Sequence, residues 1–187
     1  MCNKKVIIVT DGDSIARQAI ETASRNVGTR CISLSAGNPT PINADEMIKN
    51  IKKASGDIVV CMVDDRGNTH AGVGEQVMKT LLNSKEIEVI GVVAVASNTE
   101  GVNGITPDYC ITRENKKVKQ CVNKYGEPIE GKIFGDTVDT LKNAEVPIII
   151  GIGDPGKMNG RDDCGIGAPI TTSALKEIIN NYEKKTK

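Results

Sequence analysis

Acidic side chains follow several of the strand-like segments of this 187-residue sequence. Five aspartates stand directly after an apolar run: Asp11, Asp13, Asp64, Asp65 and Asp154. Carboxylates held close together raise one another's pKa, and a hard cation such as Mg²⁺ or Ca²⁺, which takes oxygen ligands, relieves the repulsion. The pattern therefore predicts a divalent-cation or polar-ligand site, provided that the fold brings these residues to one edge.

Other polar residues at the same strand ends complete the candidate ligand site. They are Ser35, Asn38, Ser97, Asn98 and Lys157. The same residue types also cap helices and close Asx-turns, so a purely structural role is open to each of them, most plainly to Asp13 at the start of a helix. Because no Ser/His/Asp or Cys/His arrangement can be assembled, no catalytic residue is predicted.

A glycine-rich segment after the last strand-like run matches the Gly-x-Gly-x-x-Gly pattern through Gly151, Gly153 and Gly156. No helix follows Lys157 directly, and no acidic residue ends a strand about 20 residues later, as a dinucleotide site requires. We therefore expect a tight turn. His70 lies in a polar loop without a partner at ligand spacing, and a solvated side chain is expected there.

Alternating strand-like and helix-like segments must position these residues. Strands are predicted over residues 5–10, 30–34, 57–63, 89–96 and 146–152, and helices over residues 15–27, 43–54, 77–82, 137–144 and from 172 onward. Continuous apolar strands are buried on both faces, as parallel strands covered by helices are. The pattern predicts one α/β domain over residues 1–187, a doubly wound, mostly parallel, Rossmann-like three-layer sheet with a small β extension near residues 108–128.

Composition excludes several classes of protein. The 24 basic and 24 acidic side chains cancel, and 2% aromatic residues leave few platforms for stacking bases, so nucleic-acid binding is not expected. The apolar runs are shorter than the about 20 residues that span a bilayer, and the first residues lack the apolar segment of a signal peptide. We expect a cytoplasmic protein with reduced, packing cysteines, and homo-oligomerisation stays open.

Six segments occur in the order that one known family shows. They are residues 9–13, 31–40, 63–67, 91–99, 135–138 and 151–158. The most specific are Ser-Ala-Gly-Asn-Pro-Thr at 35–40 and Val-Ala-Ser-Asn-Thr at 95–99. In these segments the chain resembles the stage V sporulation protein AE family, in its soluble form. The resemblance implies a role in sporulation and spore germination beside membrane proteins that move dipicolinic acid with calcium, and it supplies no catalytic residues.

Two functions remain open. The first is a non-enzymatic accessory protein of the forespore or spore. It would dock on membrane proteins encoded in the same operon, and through them it would lie at the periphery of the inner membrane. It would bind calcium dipicolinate at Asp11, Asp64 and Asp154, or act by docking alone. The alternative is a magnesium-dependent phosphohydrolase, since Asp11-Gly12-Asp13 looks like the Asp-x-Asp of haloacid-dehalogenase-like phosphatases, in which the first Asp attacks phosphorus. Ile15 and the early helix depart from that pattern.

Overall fold

Four α-helices and nine strands form the protein, whose computed structural model describes residues 3–66, 72–99, 101–135 and 137–187. The helices are α1 (Ser14–Asn26), α2 (Ala44–Lys53), α3 (Val73–Asn83) and α4 (Pro169–Lys185). The strands are β1 (Lys4–Val9), β2 (Arg30–Cys31), β3 (Ile58–Met62), β4 (Ile87–Val95), β5 (Tyr109–Ile111), β6 (Lys117–Val118), β7 (Cys121–Val122), β8 (Pro128–Ile129) and β9 (Ile149–Ile152). Among the described residues, no helix combines the length and apolar character needed to cross a membrane.

Seven strands form one sheet in the order β2-β3-β1-β4-β9-β5-β6, and all neighbours are parallel except β5 and β6. The predicted α/β class with a mostly parallel sheet is confirmed. The strand order differs from the 3-2-1-4 order of dinucleotide-binding sheets, because β3 lies between β1 and β2. The strand β1 is therefore central, and the loops that follow it and its two neighbours meet at one edge.

Helices cover the two faces of the sheet in pairs. Side chains alternate along β1, so that Val6 and Ile8 join the core beneath α2 and α3, whereas Ile7 and Val9 join the core beneath α1 and α4. Both sets are fully buried. This two-sided burial is the reason why the strand is continuously apolar instead of alternating with polar residues.

The predicted β extension is confirmed near residues 108–128. The short strand β5 continues the sheet beside β9, and β6 pairs antiparallel with β5. The strands β7 and β8 form a separate two-stranded hairpin. This extension covers the sheet edge that β9 would otherwise expose.

Several predicted boundaries were wrong. The second strand ends at Cys31 instead of residue 34, because the N–H and hydroxyl of Ser35 both donate to the carbonyl of Ile32 and tighten the chain into a 3₁₀ turn. Residues 138–143 form a 3₁₀ helix instead of an α-helix. The last strand begins at Ile149, after Pro147, which has no N–H to donate.

Asn43 caps α2 at its amino end. Its side-chain oxygen accepts the N–H of Glu46 at 2.9 Å. We expect Asn43→Ala to lower the free energy of unfolding by about 1 kcal/mol, since one N–H of the first turn loses its acceptor. Urea unfolding would measure this, with Asn43→Asp as the variant that keeps an acceptor. Equal stability of the alanine and aspartate variants would contradict the capping role.

Candidate functional site

A polar cleft of about 160 Å³ lies at the carboxyl ends of β1, β3, β4 and β9. It is lined by Thr10, Asp11, Asp13, Asn38, Asp64, Val95, Ser97, Thr99, Gly135, Asp154 and Lys157. Seven of the ten predicted site residues are in this lining. The topology brings them together because the parallel strands all end at this edge of the sheet.

Three predicted residues are not part of the lining. Ser35 is fully buried, and its hydroxyl accepts the N–H of Met62 at 2.8 Å at the end of β3. Asp65 binds the first turn of α3 through the N–H groups of Gly74 and Glu75, at 2.6 and 2.7 Å. These two side chains therefore organise the walls of the cleft. Asn98 follows Ser97 without reaching the lining.

The sequence patterns did not point to Thr10, which lines the cleft, or to Thr40, which lies beside it. The hydroxyl of Thr10 accepts the N–H of Val95 at 2.9 Å and joins the ends of β1 and β4. The hydroxyl of Thr40 accepts the N–H of Asp64 at 2.8 Å, beside the cleft. Thr10 was detectable as the last residue of a strand-like run, directly before Asp11. Thr40 carries no such signal, because its partner is 24 residues away.

Asp11 is a buried carboxyl group of the cleft with a strongly raised pKa. It is 9% exposed, and one of its oxygens accepts the N–H groups of Gly12 and Asp13 at 2.7 and 3.2 Å. Burial, together with the charges of Asp13 and Asp64, raises the pKa of Asp11 from 3.8 to about 7. This carboxyl group therefore exchanges its proton close to neutral pH.

Lys157 pairs with two carboxylates on the other side of the cleft. Its ammonium group lies 2.6 Å from Oδ2 of Asp13 and 3.5 Å from Oδ2 of Asp154. Burial opposes ionisation of Asp13, but hydrogen bonds from Lys157 and from the first N–H groups of α1 outweigh it and lower the pKa of Asp13. Burial raises the pKa of Asp154, although Lys157 works against this. Lys157 thus pairs directly with Asp13 and Asp154, whereas Asp11 accepts hydrogen bonds from two backbone N–H groups.

The loops that follow β1 and β2 approach each other closely through their backbones at Gly12 and Gly37. A Cβ atom on Gly12 would lie 2.7 Å from the carbonyl oxygen of Gly37, which is closer than real Cβ contacts come. Glycine at position 12 therefore allows the loops after β1 and β2 to touch. This contact holds Asp11 and Asn38 on neighbouring walls.

The glycine-rich segment after β9 forms the turn that presents Lys157. The N–H of Lys157 donates to the carbonyl of Asp154 at 3.2 Å, and α4 begins only at Pro169. Asp162 fixes this turn from within. It is fully buried and accepts the N–H groups of Gly156, Ile170 and Thr171 and the hydroxyl of Thr171. No local sequence pattern indicates this role, since the partners lie six to nine residues away.

The described side chains of the cleft do not by themselves supply a complete set of metal ligands. Over residues 3–66, 72–99, 101–135 and 137–187, no three His, Cys, Asp or Glu side chains form a ready-made metal-binding group. The hydroxyl oxygens of Ser97 and Thr99, 2.7 Å apart, add neutral ligands on the β4 side. A cation would therefore need oxygen ligands from water or from its own counter-ion.

Cysteine and histidine chemistry adds nothing to the cleft in the described residues. Five cysteines are free thiols: Cys31, Cys61, Cys110, Cys121 and Cys164. Burial raises the pKa of the Cys31 thiol to about 12, so it is not a nucleophile at neutral pH. His70, for which a solvated side chain is expected, lies outside the described residues, as do Cys2 and Asp136.

Comparison with known proteins gives one match. A family model described as stage V sporulation protein AE1 matches residues 5–182. No curated protein and no solved structure matches the chain. The match covers all nine strands apart from the first residue of β1, and it covers every residue that lines the cleft.

Proposed function

This chain belongs to the stage V sporulation protein AE1 family, and on that premise we propose that it is a non-enzymatic accessory protein which binds calcium dipicolinate in the carboxylate cleft. The family makes it a sporulation-associated protein. The resemblance to the family implies the link to dipicolinate transport in the spore. It also implies that membrane proteins of the same operon are the docking partners. The binding of calcium dipicolinate is proposed from the geometry and the charges of the cleft.

The observation that carries the proposal is the buried carboxyl group of Asp11, whose pKa stays raised to about 7 beside Lys157. Lys157 contacts Asp13 and Asp154, but among the described residues no side chain donates a hydrogen bond to Asp11. A buried carboxyl group with a pKa near 7 is held at a cost to stability, which is typical of groups that bind or react. A cation beside Asp11 would replace the proton and remove that cost.

The cleft suits a calcium chelate better than bare calcium. Calcium takes six to eight oxygen ligands, and the described residues offer no preformed group of three acids. Dipicolinate supplies carboxylate oxygens of its own to the ion. Lys157 and the hydroxyls of Ser97 and Thr99 are suited to the ligand's outer oxygens. At about 30 Å³ per water, the 160 Å³ of the cleft equals roughly five waters, the size of a small ring compound.

Calorimetric titration of calcium dipicolinate tests the proposal. We expect saturable one-site heat with the chelate, and much weaker heat with calcium alone or dipicolinate alone, because each lacks half of the required contacts. Asp11→Asn is expected to weaken the binding by about tenfold or more. Glu183→Gln, which removes an exposed carboxylate at the end of α4, is the matched control and should bind like the wild type. Absence of heat up to millimolar chelate would contradict the proposal and leave docking alone.

The pH dependence of the same titration identifies the carboxyl group involved. Because the pKa of Asp11 is about 7, about one tenth of the molecules are ionised there at pH 6 and about nine tenths at pH 8. The affinity for the chelate should therefore rise by about tenfold between these pH values. Binding at pH 7 should release about half a proton per site, so the heat should change between two buffers of different ionisation enthalpy. Asp11→Asn should lose both effects.

A magnesium-dependent phosphohydrolase is the second candidate, because Asp11 and Asp13 line the cleft beside Lys157. One observation weighs against it. Both oxygens of Asp13 are engaged, one by the N–H groups of Ile15 and Ala16 and the other by Lys157. A general acid or base needs a free oxygen at the substrate. Magnesium-dependent release of phosphate from p-nitrophenyl phosphate, lost in Asp11→Asn, would favour the enzyme over the binding protein.

A further inference from the structure

Lysines collect at the edge of the sheet opposite to the cleft. We define the lysine face as Lys4, Lys52, Lys53, Lys85, Lys184 and Lys185. Strand β1 begins at Lys4, α2 ends at Lys53, Lys85 lies just before β4, and α4 ends at Lys185. In a parallel α/β sheet, strand starts and helix ends share the amino edge, so these lysines face away from the carboxylate cleft.

Contacts between the segments confirm that the lysine face is continuous. Lys4 donates to the carbonyls of Ala54 and Gly56, just beyond α2, at 2.9 and 2.5 Å. The side chain of Asn3 donates to the carbonyl of Lys85 at 2.9 Å. Lys185 donates to the carbonyl of Pro147, just before β9, at 3.1 Å. The row therefore crosses the starts of β3, β1, β4 and β9, which is roughly 14 Å at the usual strand spacing.

Most of this positive charge is not cancelled locally. Among the described residues, Lys52 pairs with Glu86, whereas Lys53, Lys85 and Lys184 have no carboxylate within 4 Å. The carboxylates at this edge are Asp57, Glu86, Glu88, Asp108, Glu145 and Glu183. The lysine face, with Lys5, Lys142, Arg25 and Arg30 on the same edge, outnumbers them. Lysines are common in the last turn of a helix, but Lys4 and Lys85 lie outside helices.

We propose that the lysine face docks directly onto an anionic lipid bilayer and turns the carboxylate cleft toward the aqueous phase. Basic side chains near an anionic leaflet each strengthen adsorption, and long lysine stems adapt to a fluid surface. A nucleic acid is a poorer occupant, because the chain has 2% aromatic residues and therefore few platforms on which bases could stack. The inference is independent of what the cleft binds.

Co-sedimentation with lipid vesicles tests this docking. The wild-type protein should sediment with vesicles of phosphatidylglycerol mixed with phosphatidylcholine, but not with pure phosphatidylcholine, and added salt should release it. The variant Lys53→Glu/Lys85→Glu/Lys184→Glu should lose more than about a hundredfold in partitioning, since each reversal removes an attraction and adds a repulsion. The matched control Lys116→Glu/Lys132→Glu/Arg161→Glu reverses three exposed charges outside the lysine face and should bind like the wild type.

Three outcomes would overturn the docking proposal. They are equal binding to neutral and anionic vesicles, loss of binding in the control variant but not in the lysine-face variant, and tighter binding to duplex DNA than to anionic vesicles. The neutral variant Lys53→Gln/Lys85→Gln/Lys184→Gln introduces no acidic side chain and is therefore less prone to misfold. It should bind with intermediate strength. Circular dichroism of each variant verifies that the fold is retained.

Discussion

Asp11→Asn is expected to stabilise the protein at pH 8 by about 4 kcal/mol, since the pKa of Asp11 is about 7 in the folded chain and 3.8 in the unfolded chain. Between these values the folded protein keeps a proton that the unfolded chain has released. Its stability therefore falls as the pH rises from about 4 to about 7 and stays low above. The asparagine variant lacks this fall, so the difference between the two proteins should vanish toward pH 4.

Urea unfolding across this pH range measures the effect. Asp13→Asn is the contrasting variant. Because hydrogen bonds from Lys157 and the helix N–H groups lower the pKa of Asp13, its ionised form stabilises the folded state, and its removal should destabilise the protein at pH 8. A wild-type stability that does not change between pH 4 and pH 8, or a destabilised Asp11→Asn, would show that the proton at Asp11 is not held as we infer. A gain in stability with a loss of binding would mark Asp11 as a functional residue.

Asp162→Ala should be among the most destabilising single substitutions, with a loss of about 4 kcal/mol in the free energy of unfolding. The side chain is fully buried and accepts four hydrogen bonds, at 2.6 to 3.0 Å. Alanine would leave three N–H groups and one hydroxyl without an acceptor in the interior. The turn that carries Lys157 would lose its attachment to the start of α4.

The neighbouring Asp163 provides the control for this substitution. It is exposed and accepts one hydrogen bond, from the N–H of Gly165 at 2.6 Å. Asp163→Ala should therefore cost about 1 kcal/mol or less. Both variants can be compared by urea unfolding at one pH. Similar losses for the two would contradict the assignment of Asp162 as the internal anchor of the loop.

The grouping of the strand-end residues at one edge was predictable where one physical rule sufficed. Asp11, Asp64, Ser97 and Asp154 each follow an apolar strand, and parallel strands that end at one edge bring such residues together whatever the strand order. The carboxylate cleft was therefore foreseeable without knowing that β3 lies between β1 and β2. The pairing of Lys157 with Asp13 was not foreseeable, since it depends on how the loop after β9 turns back over α1.

The sequence could not predict features that depend on distant partners. Ser35 was assigned to the ligand site, but its hydroxyl bonds Met62, 27 residues away, and it shortens β2. Asp65 was assigned likewise, and it caps α3 across a gap of nine residues. In both cases a polar side chain satisfies a backbone group at a strand end or helix start. Residue type alone does not distinguish that role from ligand binding.

The separation of opposite charges at the two sheet edges changes how this molecule approaches a charged surface. Its net charge is zero, so a uniform field exerts no pull on it. However, carboxylates at one end and lysines at the other give it a permanent dipole moment, on which the field exerts a torque. Near a negative surface the protein is therefore rotated before contact, with its lysine end leading. The protein is thus oriented before it touches the surface. Its isoelectric point near neutrality does not reveal this property.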